Sequence, residues 1–87
     1  MAGMQFVYVL HSGKDRKFYV GSTNNLKKRF AEHNNGLVAA TKKRRPLKLV
    51  YYEGCLSKID AFRREKYLKT GWGKRYLKSR LRDYLTG

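Results

Sequence analysis

Eighty-seven residues, 41% of them hydrophobic and 14% aromatic, suffice for one small domain burying roughly 60–65% of its unfolded surface, and are too apolar for a disordered chain. The single cysteine, Cys55, excludes an internal disulfide and a cysteine-rich zinc site, and no apolar run approaches the ~20 residues of a membrane span. Twenty-one Lys and Arg against six Asp and Glu give a net charge of +15, a self-repulsion that a polyanion relieves, so composition points to nucleic acid as partner and names no activity. Residues 4–10 are too short for a secretory leader and no small-residue cleavage site follows, so the expectation is a soluble, cytoplasmic single domain spanning 1–87.

Residues 5–10, QFVYVL, predict a strand with Phe6, Tyr8 and Leu10 on one face and Val7 and Val9 on the other, so both faces can be covered. The polar segment His11–Lys17 forms a hairpin loop to a second, antiparallel strand at Phe18–Val20. Whether Tyr8 and Tyr19 share a face depends on the register of that hairpin. A Gly21-Ser22-Thr23 turn leads to a helix opened by Asn24 or Asn25 and running to His33 or Asn34. Leu26, Phe30 and His33 make its buried stripe, with Arg29 on the rim. Asn34-Asn35-Gly36 closes it.

The loop that follows ends in Lys42-Lys43-Arg44-Arg45-Pro46. Four adjacent cations do not pack, so this segment is expected to be exposed and to touch a phosphate backbone. Leu47–Glu53 is a third strand. Ser57, with Asp60 three residues later, caps a helix reaching about Lys69, which Thr70-Gly71 stops. Trp72-Gly73 forms a corner, with Trp72 plugging it, before a basic helix over 74–85 that turns Leu77, Leu81, Tyr84 and Leu85 to one side. His11 is expected at the surface and Cys55 as a small buried hydrophobe. The fold class is α+β, a small three-stranded antiparallel sheet flanked by helices in the order ββαβαα.

One residue sits badly in this scheme. Ala61, Phe62 and Leu68 define the apolar stripe of the second helix, and Glu65 falls inside it. A carboxylate there needs a partner: a Lys or Arg at the edge of the core, or a divalent ion. Mg²⁺ suits a single carboxylate, because it keeps most of its waters and takes its other ligands from phosphate oxygens. Arg29 and His33, four apart on the first helix, share a face near the tyrosine strand.

These residues carry a family resemblance. Phe6-Val7-Tyr8 and Tyr19-Val20-Gly21, with the continuation Y-V-G-S-T-x-N-L-x-x-R-x-x-x-H and the later Glu65, resemble the GIY-YIG nuclease signature in order and spacing. The match covers nearly the whole chain, which is similar to the small stand-alone members of that superfamily. The resemblance implies catalytic roles for Tyr8, Tyr19, Arg29, His33 and Glu65: Glu65 holding one Mg²⁺ or Mn²⁺, Arg29 steadying the phosphate, and a tyrosine as base toward the attacking water. Arg and a metal suit a reaction that builds charge on phosphorus oxygens. Tyrosine, with a free pKa of about 10, needs a neighbouring cation, metal or His to serve as base.

Two departures are visible. The first motif lacks its leading Gly, and Val replaces Ile in both. The family's Asn after the metal Glu has no counterpart beyond Asn35; Lys69, or the N–H groups opening the last helix, would stand in. The expected activity is a divalent-metal-dependent endonuclease acting on DNA, branched or single-stranded, with nucleic-acid contacts at Lys42, Lys43, Arg44, Arg45 and Lys69. The alternative is a catalytically silent nucleic-acid binder of the same fold. So small a surface leaves specificity to substrate shape, a partner protein or a homodimer.

Overall fold

The computed structural model describes residues 3–87. Its order is β1 (Gln5–Ser12), β2 (Phe18–Thr23), α1 (Leu26–Asn34), a 3₁₀ turn at Lys42–Arg44, β3 (Leu47–Cys55), α2 (Lys58–Leu68), α3 (Gly71–Arg80) and a last short helix, α4 (Arg82–Thr86). The three strands form one antiparallel sheet in the order β2-β1-β3, so the α+β class and the ββαβαα order hold. Among the described residues no helix is long and apolar enough to cross a membrane.

β1 lies in the middle because four consecutive residues of it are buried, two on each face. Val7, Tyr8, Val9 and Leu10 are each at most 2% exposed. Val7, Val9 and Val20 pack against Ala61, Leu68 and Leu77 of α2 and α3. Tyr8 and Leu10 pack on the opposite face with Leu47, Tyr19, Leu26, Leu49 and Phe30. A register shift between Val9 and Leu10 opposite β3 leaves Leu49 on the α1 side while Val50 and Tyr51 both serve the α2–α3 side. The outer edge of β3 is tied to those helices by a polar chain. Arg64 Nε donates to Glu53 Oε1 at 2.8 Å, Tyr51 donates to Glu53 Oε2 at 2.8 Å, and the Tyr51 and Tyr76 hydroxyls meet at 2.8 Å.

Several boundaries differ from the sequence reading. Gly21-Ser22-Thr23 is not a turn but the end of β2, because Gly21 pairs with Tyr8, Ser22 with Val7 and Thr23 with Phe6. Asn25 and Ser57 cap α1 and α2 as expected, each side chain accepting a backbone N–H, and Gly36 takes φ +74° just past α1. Thr70 does not simply stop α2; it caps α3, accepting from Gly73 N at 3.2 Å. The helix expected at 74–85 therefore begins at Gly71 and breaks at Leu81.

Gly73 permits that early start. It is buried in α3, and a Cβ there would collide with Tyr67 O and the Leu68 backbone. Trp72, pointing the other way, is 68% exposed with Arg75 stacked on its ring, so it does not plug the corner. Phe62 also leaves the core, at 52% exposure, while Ala61 and Leu68 are buried as expected. Of the last helical stripe only Leu77 is fully buried. His11 is half-buried, bonded to the Tyr84 hydroxyl and Arg16 O, and Cys55 is half-buried at the end of β3. Gly73→Ala should cost about 1–3 kcal/mol through overpacking of the α2–α3 corner, read as a lowered midpoint in urea unfolding; an unchanged midpoint would contradict the close approach.

Candidate active site

The hairpin register answers the question the sequence left open. Tyr8 faces Gly21 and Leu10 faces Tyr19, so the two tyrosines are diagonal neighbours on one face, ring centroids 6.5 Å apart. α1 lies over that face and delivers His33 and Arg29. His33 is completely buried, its Nε2 2.8 Å from Tyr8 Oη and its Nδ1 2.7 Å from Thr41 Oγ1. The Tyr19 ring stands edge-on to the imidazole at 5.2 Å. Gly21 supplies the room for this: a Cβ there would lie 2.5 Å from Tyr8 Oη.

Arg29 lies beside the same hydroxyl, and its Nη1 donates to Glu32 Oε1 at 3.0 Å. Burial raises the Tyr8 pKa, the Tyr19 and Glu65 oxygens add to that, and Arg29 opposes it. Burial, with the positive field of Arg29, pushes the His33 imidazole down to about 4. The ring is therefore neutral at physiological pH, with one nitrogen donating and the other accepting.

Glu65 comes from the other side of the sheet and reaches the free edge of β2. Ser22 Oγ donates to Glu65 Oε1 at 2.6 Å, and Lys69 Nζ to Oε2 at 2.7 Å. The carboxylate is thus not inside the core. It sits at the rim, 16% exposed and paired with a lysine. Gly21 and Ser22 are neighbours in β2, so Tyr8 on one face and Glu65 on the other converge on two consecutive residues of one edge strand. Among the described residues no three His, Cys, Asp or Glu side chains cluster. One rim carboxylate fits a hard, largely hydrated divalent ion and does not fit a closed cage of protein ligands.

The cationic loop divides. Lys42, Lys43 and Arg45 are exposed. Arg44 is turned inward, contrary to the expectation that the four do not pack: its Nε donates to Asp15 Oδ2 at 2.6 Å and its Nη2 to Lys17 O at 3.2 Å. That pair holds the Asp15 carboxyl well below the usual range. Three partners escaped the sequence reading: Thr41, Ser22 and Glu32. Glu32 stands three residues from Arg29, a spacing that signals a helical pair. Thr41 and Ser22 gave no local signal, because their partners are 8 and 43 residues away.

A profile of the GIY-YIG catalytic domain matches residues 4–78. The chain belongs to the GIY-YIG family. Its relatives are UPF0213 proteins: that of Clostridium perfringens is 49% identical over 67 residues, covering 76% of this chain and 71% of the relative. That of Staphylococcus haemolyticus is 47% identical over 66 residues, covering 75% and 79%. The solution NMR structure of a UPF0213 protein from Bacillus halodurans is similar at 30% identity and a TM-score of 0.55, covering 87% of this chain and 83% of that one. This is a GIY-YIG nuclease-family domain, and the family implies nucleic acid as partner and typically a divalent metal.

A buried imidazole whose folded pKa is depressed contributes stability that is present above its unfolded value of about 6.5 and lost as pH falls toward 4. Between those values the unfolded chain binds the extra proton. Thermal midpoints should therefore fall as pH drops from about 6.5 to 4, by up to ~3 kcal/mol in stability. His33→Gln should be less stable at neutral pH and should lose that slope; a slope kept in the variant would assign it to other groups.

Proposed function

We propose that residues 1–87 act as one divalent-metal-dependent endonuclease domain that hydrolyses DNA phosphodiester bonds at the β2 edge. The observation that carries this reading is the 2.8 Å contact between Tyr8 Oη and a neutral His33 Nε2, with Arg29 beside the hydroxyl. A raised pKa makes Tyr8 a poor base alone. Of the two tyrosines it is the one with a proton acceptor in hydrogen-bond reach. With the His33 proton on Nδ1 and donated to Thr41 Oγ1, Nε2 takes the Tyr8 proton as the tyrosine oxygen takes one from the attacking water.

Tyr8 is only 1% exposed and has the Arg29 side chain beside its hydroxyl. The guanidinium reaches the cleft beside it, so it meets the phosphate first and stabilises the charge that builds on its oxygens. When bound, a divalent ion supplies further charge stabilisation at the phosphoryl and leaving oxygens. Glu65 is the carboxylate that would hold it. Lys42, Lys43 and Arg45 contact the backbone of the DNA, and Lys69, beside Glu65, takes the place of the missing Asn near the scissile phosphate.

The Lys69–Glu65 ion pair favours a second reading, a nucleic-acid binder without turnover in which the ammonium holds the place of the metal. A cleavage assay with Mg²⁺ or Mn²⁺ on single-stranded, branched and duplex DNA separates the two. Tyr8→Phe and Glu65→Ala should each lower kcat/KM about a hundredfold or more while leaving metal-free DNA binding in place, and Tyr19→Phe should cost less. Full activity in Glu65→Ala would remove the metal role. Salt-sensitive binding by wild-type protein with no cleavage under any metal would establish the silent binder.

A further inference from the structure

A cleft of about 730 Å³ adjoins this site, between the end of β2 and the first turns of α1 and α2. Its size falls within the ~300–1,000 Å³ of ligand sites. Its two walls differ. One carries Arg29 and Lys28 of α1; the other carries Ile59 and Phe62 of α2, with Lys58 beside them. Ile59 is 65% and Phe62 52% exposed. The ammonium of Lys66, which does not line the cleft, sits 4.8 Å from the Phe62 ring centroid.

Phe62 is the residue that helical spacing predicts for the core and the fold turns out to the cleft instead. An exposed aromatic next to an exposed isoleucine, facing cations across a cleft, is an arrangement for a ligand with a flat apolar part and an anionic part. The cleft's one carboxylate, Glu32, is already neutralised by Arg29 at 3.0 Å, so the net charge of the cleft favours an anion. An unpaired nucleotide has both parts: a base with an open π-face and a phosphate. A base inside a duplex is stacked on both sides and offers no free face.

We propose that this cleft is a subsite for an unpaired nucleotide flanking the reactive phosphate, with its base against Phe62 and its phosphate between Lys28 and Lys58. It deepens the nuclease reading and rests on it for the position of that phosphate at Arg29. The chemistry recognised is a single-stranded nucleic acid, or the unpaired arm of a branched one. The subsite would read unpairedness without reading sequence, since every base has a π-face.

Fluorescence-anisotropy titrations in EDTA test it, using a short mixed-sequence single strand, the same strand built from abasic tetrahydrofuran residues, and a blunt duplex. Phe62→Ala should weaken binding of the base-bearing strand about tenfold, leave the abasic strand and the duplex unchanged, and be rescued by Phe62→Trp. An equal fall on all three ligands, or no change on any, overturns the proposal. So does conversion of a dimer to a monomer by Phe62→Ala with DNA affinity unchanged, which would make this face a self-interface. The nuclease reading fails separately. Base-dependent binding through Phe62 in a protein that never cuts leaves the subsite standing, whereas Glu65-dependent cleavage with an indifferent Phe62 removes it.

Discussion

The site depends on one buried chain of hydrogen bonds, Tyr8 Oη to His33 Nε2 and His33 Nδ1 to Thr41 Oγ1. All three residues are at most 1% exposed, and they come from β1, from α1 and from the loop before β3. A polar group left unpaired at such depth costs about 1–3 kcal/mol, so the chain forms completely or the layer does not close. Among the described residues no buried side-chain nitrogen or oxygen lacks a partner. The same bonds that fasten α1 and its loop to the sheet hold the Tyr8 hydroxyl against a ring nitrogen of His33. In the proposed mechanism, stability and chemistry draw on the same atoms.

The acids show how a chain of charge +15 folds. Asp15, Glu32, Glu53 and Glu65 each pair with a cation at 3.0 Å or less, and Asp60 stands in the first turn of α2, where a helix favours negative charge. Pairs at this degree of exposure contribute little stability individually; their effect is to place particular cations. Asp15 draws Arg44 out of the basic loop, and Glu32 sets Arg29 at the mouth of a cleft. Cations without such partners, Lys42 and Lys43 among them, stay at the surface as a field for a polyanion.

Some residues that act within one turn or one strand were legible. Asn25 and Ser57 announce their helices because a cap is satisfied three residues away. The doubly apolar β1 announces a strand whose two faces can both be covered. Phe62 misled because spacing gives a helix an apolar side without saying how much of it a neighbour covers, and Trp72 because the corner expected at 72–73 is the first turn of α3. A bare Gly73 brings α3 so close to the end of α2 that Leu68 and Leu77 fill the interface, and the larger aromatics stay outside.

The sequence by itself determined that there are three strands, the caps of α1 and α2, the polyanion-seeking charge and the order in which Tyr8, Tyr19, Arg29, His33 and Glu65 appear, because each follows from local periodicity, composition or motif spacing. Tertiary structure alone decided which of these meet. The register that makes Tyr8 and Tyr19 neighbours, the Thr41 hydroxyl that completes His33, and the Ser22 and Lys69 side chains that bring Glu65 to the β2 edge depend on contacts between segments that close only when both faces of β1 are covered. Glu65 looked misplaced on its helix. Its helix shows only the apolar neighbours on either side, and the strand edge that receives the carboxylate comes from a different part of the chain.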